Sequence, residues 1–172
     1  DDDLVFGELG DDTLIGDRGD DTLDGGEGDD LLLGGRDDDE VKGGLGDDSI
    51  DGGRGNDDLD GGQDDDILLG DRGADTLTGG EGDDSLTGGD GDDVFVFGID
   101  SGSDAVTDFE AGNDMVQLNG LGIDDFGALL AIAENDGGDV VLSFDDTAGH
   151  EVRLVGVNVE DLDEDDFMFN VA

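Results

Sequence analysis

GGEGDDLLL, residues 25–33, is one copy of a nine-residue unit that recurs end to end from Gly7 to Val96, ten copies in all. A fixed short period of this kind implies stacked units rather than an ordinary globular core. In register, the first position is glycine in every copy, from Gly7 to Gly88. The sixth is always aspartate: Asp12, Asp21, Asp30, Asp39, Asp48, Asp57, Asp66, Asp75, Asp84 and Asp93. The eighth is always apolar: Leu14, Leu23, Leu32, Val41, Ile50, Leu59, Leu68, Leu77, Leu86 and Phe95. Glycines at positions one, two and four let the backbone take positive φ, so the first six residues can form a tight loop with carbonyls turned inward. The last three residues make a short strand, whose middle side chain points to one face and whose neighbours point to the other.

One apolar residue per three-residue strand buries almost nothing. Two units must therefore fold back to face each other, giving an eighteen-residue coil that stacks on the next with parallel strands. Arg18, Arg36, Arg54 and Arg72 support that coil independently, because they recur at the third position of alternate repeats and are four of only six basic residues. Duplication of a two-repeat ancestor is the simpler explanation of the series and can coexist with a structural one, since Gly16–Leu23 and Gly70–Leu77 differ only at Asp20 and Ala74. In a stacked coil the arginines form a ladder with a rise of about 4.8 Å, set among carboxylates. Contact with an acidic polysaccharide is a weaker alternative use of that ladder in so negative a field.

The aspartates point to calcium. A hard divalent cation prefers six to eight oxygens, and a loop with a fixed carboxylate and inward carbonyls supplies oxygen alone. Stacking places each repeat beside the next but one, so each ion is expected between Asp12 and Asp30, Asp30 and Asp48, Asp48 and Asp66, or Asp66 and Asp84 on one side. On the other side the pairs are Asp21 with Asp39, Asp39 with Asp57, Asp57 with Asp75, and Asp75 with Asp93, which makes about eight full sites. Five loops depart from the pattern: Glu8, Asp17 and Asp71 replace the second glycine, and Asp37 and Asp64 the fourth. These residues are expected at positive φ, which Asp tolerates better than Glu.

Composition sets the main condition on this reading. Fifty-three acidic against six basic residues give a formal charge of −47, with no Trp or Tyr. Such a chain is expected to be disordered without metal and ordered with it. There is no cysteine, hence neither a disulfide nor a thiolate metal site. No run is long and apolar enough to span a membrane, and no signal peptide precedes the repeats. Asp1–Phe6 reads as the last six positions of another repeat, with Asp3 in the liganding place and Val5 in the core place, so the chain is expected to be part of something longer.

After Val96 the period stops, dividing the chain into a repeat domain, 1–96, and a C-terminal domain, 97–172, that reads as a small α+β unit. Strands are expected at Val94–Phe97, Ala105–Phe109 and Met115–Asn119. A helix capped by Asp124 or Asp125, with Ile123, Phe126, Leu130 and Ala133 on one face, should end before Gly137 and Gly138. A hairpin, Val140–Phe144 and Glu151–Val157, turns around Asp145–Gly149, and a last strand covers Asp166–Val171.

The repeat resembles the G-G-x-G-x-D-x-U-x unit of the RTX, or hemolysin-type, calcium-binding proteins. Asp104, Val106, Asp108, Phe109, Gly112, Asp114, Val116 and Leu118 resemble a segment near the end of many secreted proteins of that family. The resemblance implies a mainly β fold, a right-handed parallel β-roll closed by a β-rich cap, with Ca2+ as the bound ion. It also implies a bacterial protein at the cell surface or outside the cell, exported by type I secretion machinery and folded in external calcium. Asp165 and Asp166, followed by Phe167, Met168, Phe169 and Val171, read either as an acidic-then-apolar secretion signal or as a last core strand. Asp104 and Asp108 are candidates for a further calcium site where roll and cap meet.

Other chemistry fails on the residues. Asn56–Gly61 imitates the start of an EF-hand loop, but the twelfth position is Ile67 where a bidentate Glu is needed. His150 is the only histidine, which leaves no histidine-rich zinc site and a catalytic triad resting on one residue. Paired carboxylates occur throughout and say nothing of glycosidase chemistry. The charge opposes nucleic acid and anionic membranes. An ice-binding face would need one repeated Thr or Asn position, and position three holds Leu, Arg, Glu, Gln and Asp. The reading is a non-catalytic calcium-binding module, with two alternatives: a segment of an adhesin or surface-layer protein, or the accessory module of a secreted protease, lipase or epimerase.

Overall fold

The fold, seen in a computed structural model, is described for residues 1–99, 101–144 and 150–170. The repeats give strands β1 (Leu4–Leu9), β2 (Thr13–Ile15), β3 (Thr22–Glu27), β4 (Leu31–Arg36), β5 (Glu40–Leu45), β6 (Ser49–Arg54), β7 (Asp58–Gln63), β8 (Ile67–Arg72), β9 (Thr76–Glu81), β10 (Ser85–Asp90) and β11 (Val94–Phe97). Most are six residues long, twice the three expected, because each runs from position seven of one repeat through position three of the next. The glycine pair does not break the strand. Its second member takes positive φ, 106° at Gly26, yet stays in the parallel ladder, with Gly26 opposite Gly44 and Glu27 opposite Leu45. Only positions four to six are left to turn the chain.

Odd-numbered strands build one sheet and even-numbered strands the other, all parallel through the repeats. Neighbours in a sheet are offset by one coil: Leu23 pairs with Val41, and Val41 with Leu59. All ten position-eight side chains are buried between the sheets, from Leu14 to Phe95. Arg36, Arg54 and Arg72 lie in register along one sheet, and Arg72 faces Asp90 at 3.8 Å on the exposed surface. Such a pair contributes little to stability. The five non-glycine replacements all adopt positive φ, from 75° at Asp17 and Asp71 to 77° at Asp37 and Asp64, with Glu8 at 76°.

Stacking continues after the period ends. Strands β12 (Ser103–Val106), β13 (Met115–Asn119), β14 (Ala133–Asp136), β15 (Asp139–Ser143), β16 (Glu151–Leu154) and β17 (Phe167–Asn170) follow. Strands β13 and β17 extend the first sheet, β12 and β16 the second, and β14 and β15 add to the latter as antiparallel strands. Arg153 ties this end together through Asp139 at 3.1 Å and Asp136 at 3.2 Å.

The helix, α1, covers only Phe126–Leu130, with Asp125 as its cap accepting the Ala128 N–H. Of the expected face, Ile123, Phe126 and Ala133 pack against the core as expected, but Leu130 is exposed and Leu129 is buried in its place. Ala133–Asp136 pairs with Asp139–Leu142 as a hairpin around Gly137 and Gly138; a helix through them would leave the edge of β15 unpaired. The strand expected at Ala105–Phe109 ends at Val106, although Phe109 is buried. Val140–Val141–Leu142 and Glu151–Leu154 pair antiparallel as expected. The turn expected at Asp145–Gly149, and Val171, lie outside the described residues. No helix among the described residues is long and apolar enough to cross a membrane.

Candidate metal centre

The sixth-position aspartates stand in two files, one at each turn of the coil. From Asp21 onward each carboxylate reaches back one coil to a backbone N–H. Asp30 Oδ1 accepts from Asp12 N–H at 2.7 Å, and the Oδ1 atoms of Asp48, Asp66 and Asp84 accept from Asp30, Asp48 and Asp66 at 2.8–2.9 Å. On the other side Asp39, Asp57, Asp75 and Asp93 accept from Asp21, Asp39, Asp57 and Asp75 at 2.8–2.9 Å. The pairs inferred from stacking are therefore direct neighbours.

The second carboxylate oxygen has no such partner. Oδ2 of Asp21, Asp30, Asp39, Asp48, Asp57, Asp66, Asp75, Asp84 and Asp93 is buried without a hydrogen bond. A buried, unsatisfied carboxylate oxygen is costly and calls for a proton or a cation. A second oxygen converges on the same place. A methyl group added to Gly34 would lie 2.7 Å from Asp39 Oδ2 and 2.8 Å from the Gly52 carbonyl oxygen of the next coil. First-position glycine is thus required by space, not by φ: its bare Cα makes room where the two oxygens meet.

No group of three or more His, Cys, Asp or Glu side chains fit for a metal occurs among the described residues. A cation lodged between two coils would have a carboxylate from each coil and backbone carbonyl oxygens to draw on. That all-oxygen set suits a hard ion such as calcium and no soft one.

The other candidates differ. Asp12 and Asp3 lie towards the first coils, Asp12 half-buried and Asp3 exposed, and Asp3 N–H donates to Asp21 Oδ1 at 2.6 Å. Asp104 continues one file, accepting the Asp84 N–H at 3.0 Å, with its Oδ2 buried and unpartnered. Asp108 instead takes the N–H groups of Gly88 and Gly89 on its two oxygens, at 3.0 and 2.9 Å. Sequence reasoning passed over the fifth position. Asp11, Asp29, Asp47 and Asp65 each accept the N–H one coil ahead, of Asp29, Asp47, Asp65 and Asp83, at 2.9–3.2 Å. Positions five and six thus join adjacent coils in opposite senses, a role that near-uniform Asp at position five could have signalled.

Burial pushes six of the sixth-position carboxyls well up. Desolvation, aided by neighbouring carboxylates and opposed by the backbone hydrogen bond, raises Asp39, Asp48, Asp84 and Asp93 to about 6, Asp57 to about 7 and Asp66 to about 8. An unfolded Asp titrates near 3.9. Between these limits the metal-free roll binds more protons than the unfolded chain, so its stability falls as pH rises through about 6–8 and is recovered on acidification. In chelator, far-UV circular dichroism should therefore show β structure growing as pH is lowered from 8 to 5. Loss of β structure over that range would contradict the assignment.

Fold and donor set together define a parallel β-roll with oxygen-lined gaps between coils. The model for the RTX calcium-binding nonapeptide repeat (4 copies) matches residues 1–32, 33–68 and 69–104. The chain belongs to this family of calcium-binding repeats, and Ca2+ is its ion. Among solved structures, an extracellular lipase, LipA, from Serratia marcescens is similar in fold, at 20% identity and a TM-score of 0.51 over 89% of this chain. The match takes in 40% of the lipase chain, so this chain spans about two fifths of its length. The AlgE6R3 subunit of the Azotobacter vinelandii mannuronan C5-epimerase matches at 26% identity and a TM-score of 0.32, covering 94% of this chain and 79% of that one. No curated protein matches by sequence.

Proposed function

We propose that the chain is a non-catalytic module that folds on calcium outside the cell, with Asp12, Asp21, Asp30, Asp39, Asp48, Asp57, Asp66, Asp75, Asp84 and Asp93 as the carboxylate ligands. The observation that carries this is the file of buried Oδ2 atoms without partners, each beside a first-position glycine. Calcium held there joins two coils, neutralises part of the −47 charge and removes the desolvation cost. If each of eight sites is tenfold saturated, each adds about 1.4 kcal/mol and the set on the order of 11 kcal/mol, as much as a whole domain's stability. Equilibrium dialysis should find about eight calcium ions per chain and no comparable uptake of magnesium, which prefers fewer ligands in stricter geometry. A count of one or two, or equal uptake of both metals, would overturn the assignment.

Residues 97–172 serve in this reading to close the roll, since their strands continue both sheets and Phe97, Val106, Val116 and Leu118 prolong its core. A chain cut after Val96 should need a higher calcium concentration to fold than the full chain; an unchanged midpoint would remove the closing role. The resemblance of the chain's ending to RTX exoproteins supports export by type I machinery. An adhesin segment or the accessory part of a secreted enzyme remains the second reading, with activity belonging to the longer protein.

A further inference from the structure

The period ends at Val96, yet the turn of the repeat is made twice more. Gly102-Ser103-Asp104 and Gly112-Asn113-Asp114 both reproduce positions four to six, with positive φ at the glycines, 70° and 87°, and both aspartates buried. Each prolongs one file. Asp104 Oδ1 accepts the Asp84 N–H at 3.0 Å, and Asp114 Oδ1 the Asp93 N–H at 3.1 Å. Ser103 N–H also donates to Asp83 Oδ1 at 2.9 Å, repeating the fifth-position link of the coils below.

The two turns then diverge. Asp104 is 2% exposed and its Oδ2 has no partner, as in the interior repeats. Asp114 Oδ2 accepts the Glu110 N–H at 2.8 Å, so its second oxygen is engaged within its own loop. Asp84 and Asp104 face each other across one gap, joined by the Asp84 N–H on Asp104 Oδ1, and burial, with the Asp84 charge after it, pushes the Asp104 carboxyl up. Two buried carboxylates so placed repel unless one takes a proton or a cation lies between them. In register beyond Asp104 stands Val152, buried and apolar, which ends that file.

We propose that Asp84 and Asp104 hold one further calcium ion beyond the repeats, and that the opposite file ends at Asp93, its last gap closed by protein. This rests on the calcium reading of the repeats. Asp104→Asn retains an Oδ1 acceptor for the Asp84 N–H, so the variant keeps the roll. By equilibrium dialysis it should bind one calcium ion fewer than the parent chain, whereas Asp114→Asn should bind the same number. An unchanged count in Asp104→Asn, or a loss in Asp114→Asn alone, overturns the proposal while leaving the repeat sites intact. A parent chain that takes up no calcium overturns both. On the unsubstituted chain, anomalous scattering from calcium in a crystal should place an ion between Asp84 and Asp104 and none between Asp93 and Asp114; the opposite placement sinks the inference without recourse to a variant.

Discussion

Asp48→Ala is expected to cost far more than Asp12→Ala, although both remove the same side chain from the same place in a repeat. Asp48 stands between two coils, so its loss disables the gaps to Asp30 and to Asp66 together. It also strips the acceptor from the Asp30 N–H, which Asp48 Oδ1 holds at 2.8 Å, leaving a buried donor at a cost of about 1–3 kcal/mol. With each lost ion contributing about 1.4 kcal/mol at tenfold saturation, the change should reach roughly 4–6 kcal/mol. Asp12, half-buried, serves the single gap to Asp30, and its replacement should cost about 1.4 kcal/mol. Thermal unfolding of the two variants at one fixed calcium concentration compares them; equal losses would show that the carboxylates do not work in shared pairs.

Gly34→Ala should be the second large effect, and it separates space from backbone strain. Gly34 does not have positive φ, so an alanine there suffers no conformational penalty of the left-handed kind. Its methyl group would instead fall 2.7 Å from Asp39 Oδ2 and 2.8 Å from the Gly52 carbonyl, the oxygens that would face the ion. Overpacking of this kind costs about 1–3 kcal/mol, and lowers Tm by roughly 2–12 °C in a chain of this size. The same change should raise the calcium concentration needed for folding. Gly10→Ala is the contrasting case: φ is 96° but nothing lies within 4 Å of the added carbon. It should lower Tm without displacing the calcium midpoint as far. A Gly34→Ala chain with normal calcium dependence would mean that the two oxygens do not share an ion.

Much of this arrangement is legible in the sequence because the repeat leaves little freedom. One apolar residue in nine fixes the core, and Leu14 to Phe95 all fill it. The recurrence of arginine at alternate repeats gives the coil, and Arg36, Arg54 and Arg72 do align. Positive φ at Glu8, Asp17, Asp37, Asp64 and Asp71 follows from their standing where other copies have glycine.

What escaped notice depends on contacts that no period encodes. Ala133–Asp136 is strand because β15 offers it an edge, and local periodicity favours a helix over the same residues. Gly102-Ser103-Asp104 and Gly112-Asn113-Asp114 imitate the repeat turn, but inserted residues displace them from the nine-residue register. Asp108 looks like another ligand by composition, and composition does not tell that its two oxygens take the Gly88 and Gly89 N–H groups. Asp166 is similar, buried and holding the Gly112 N–H at 2.7 Å across 54 residues of chain.

The central claim is that calcium is part of the fold, and far-UV circular dichroism during a calcium titration of the full chain, from chelator to millimolar with magnesium as control, tests it most directly. The account predicts a cooperative passage from disorder to β structure at neutral pH with calcium and none with magnesium. A chain already folded in chelator at neutral pH, or one that stays disordered in millimolar calcium, would contradict it.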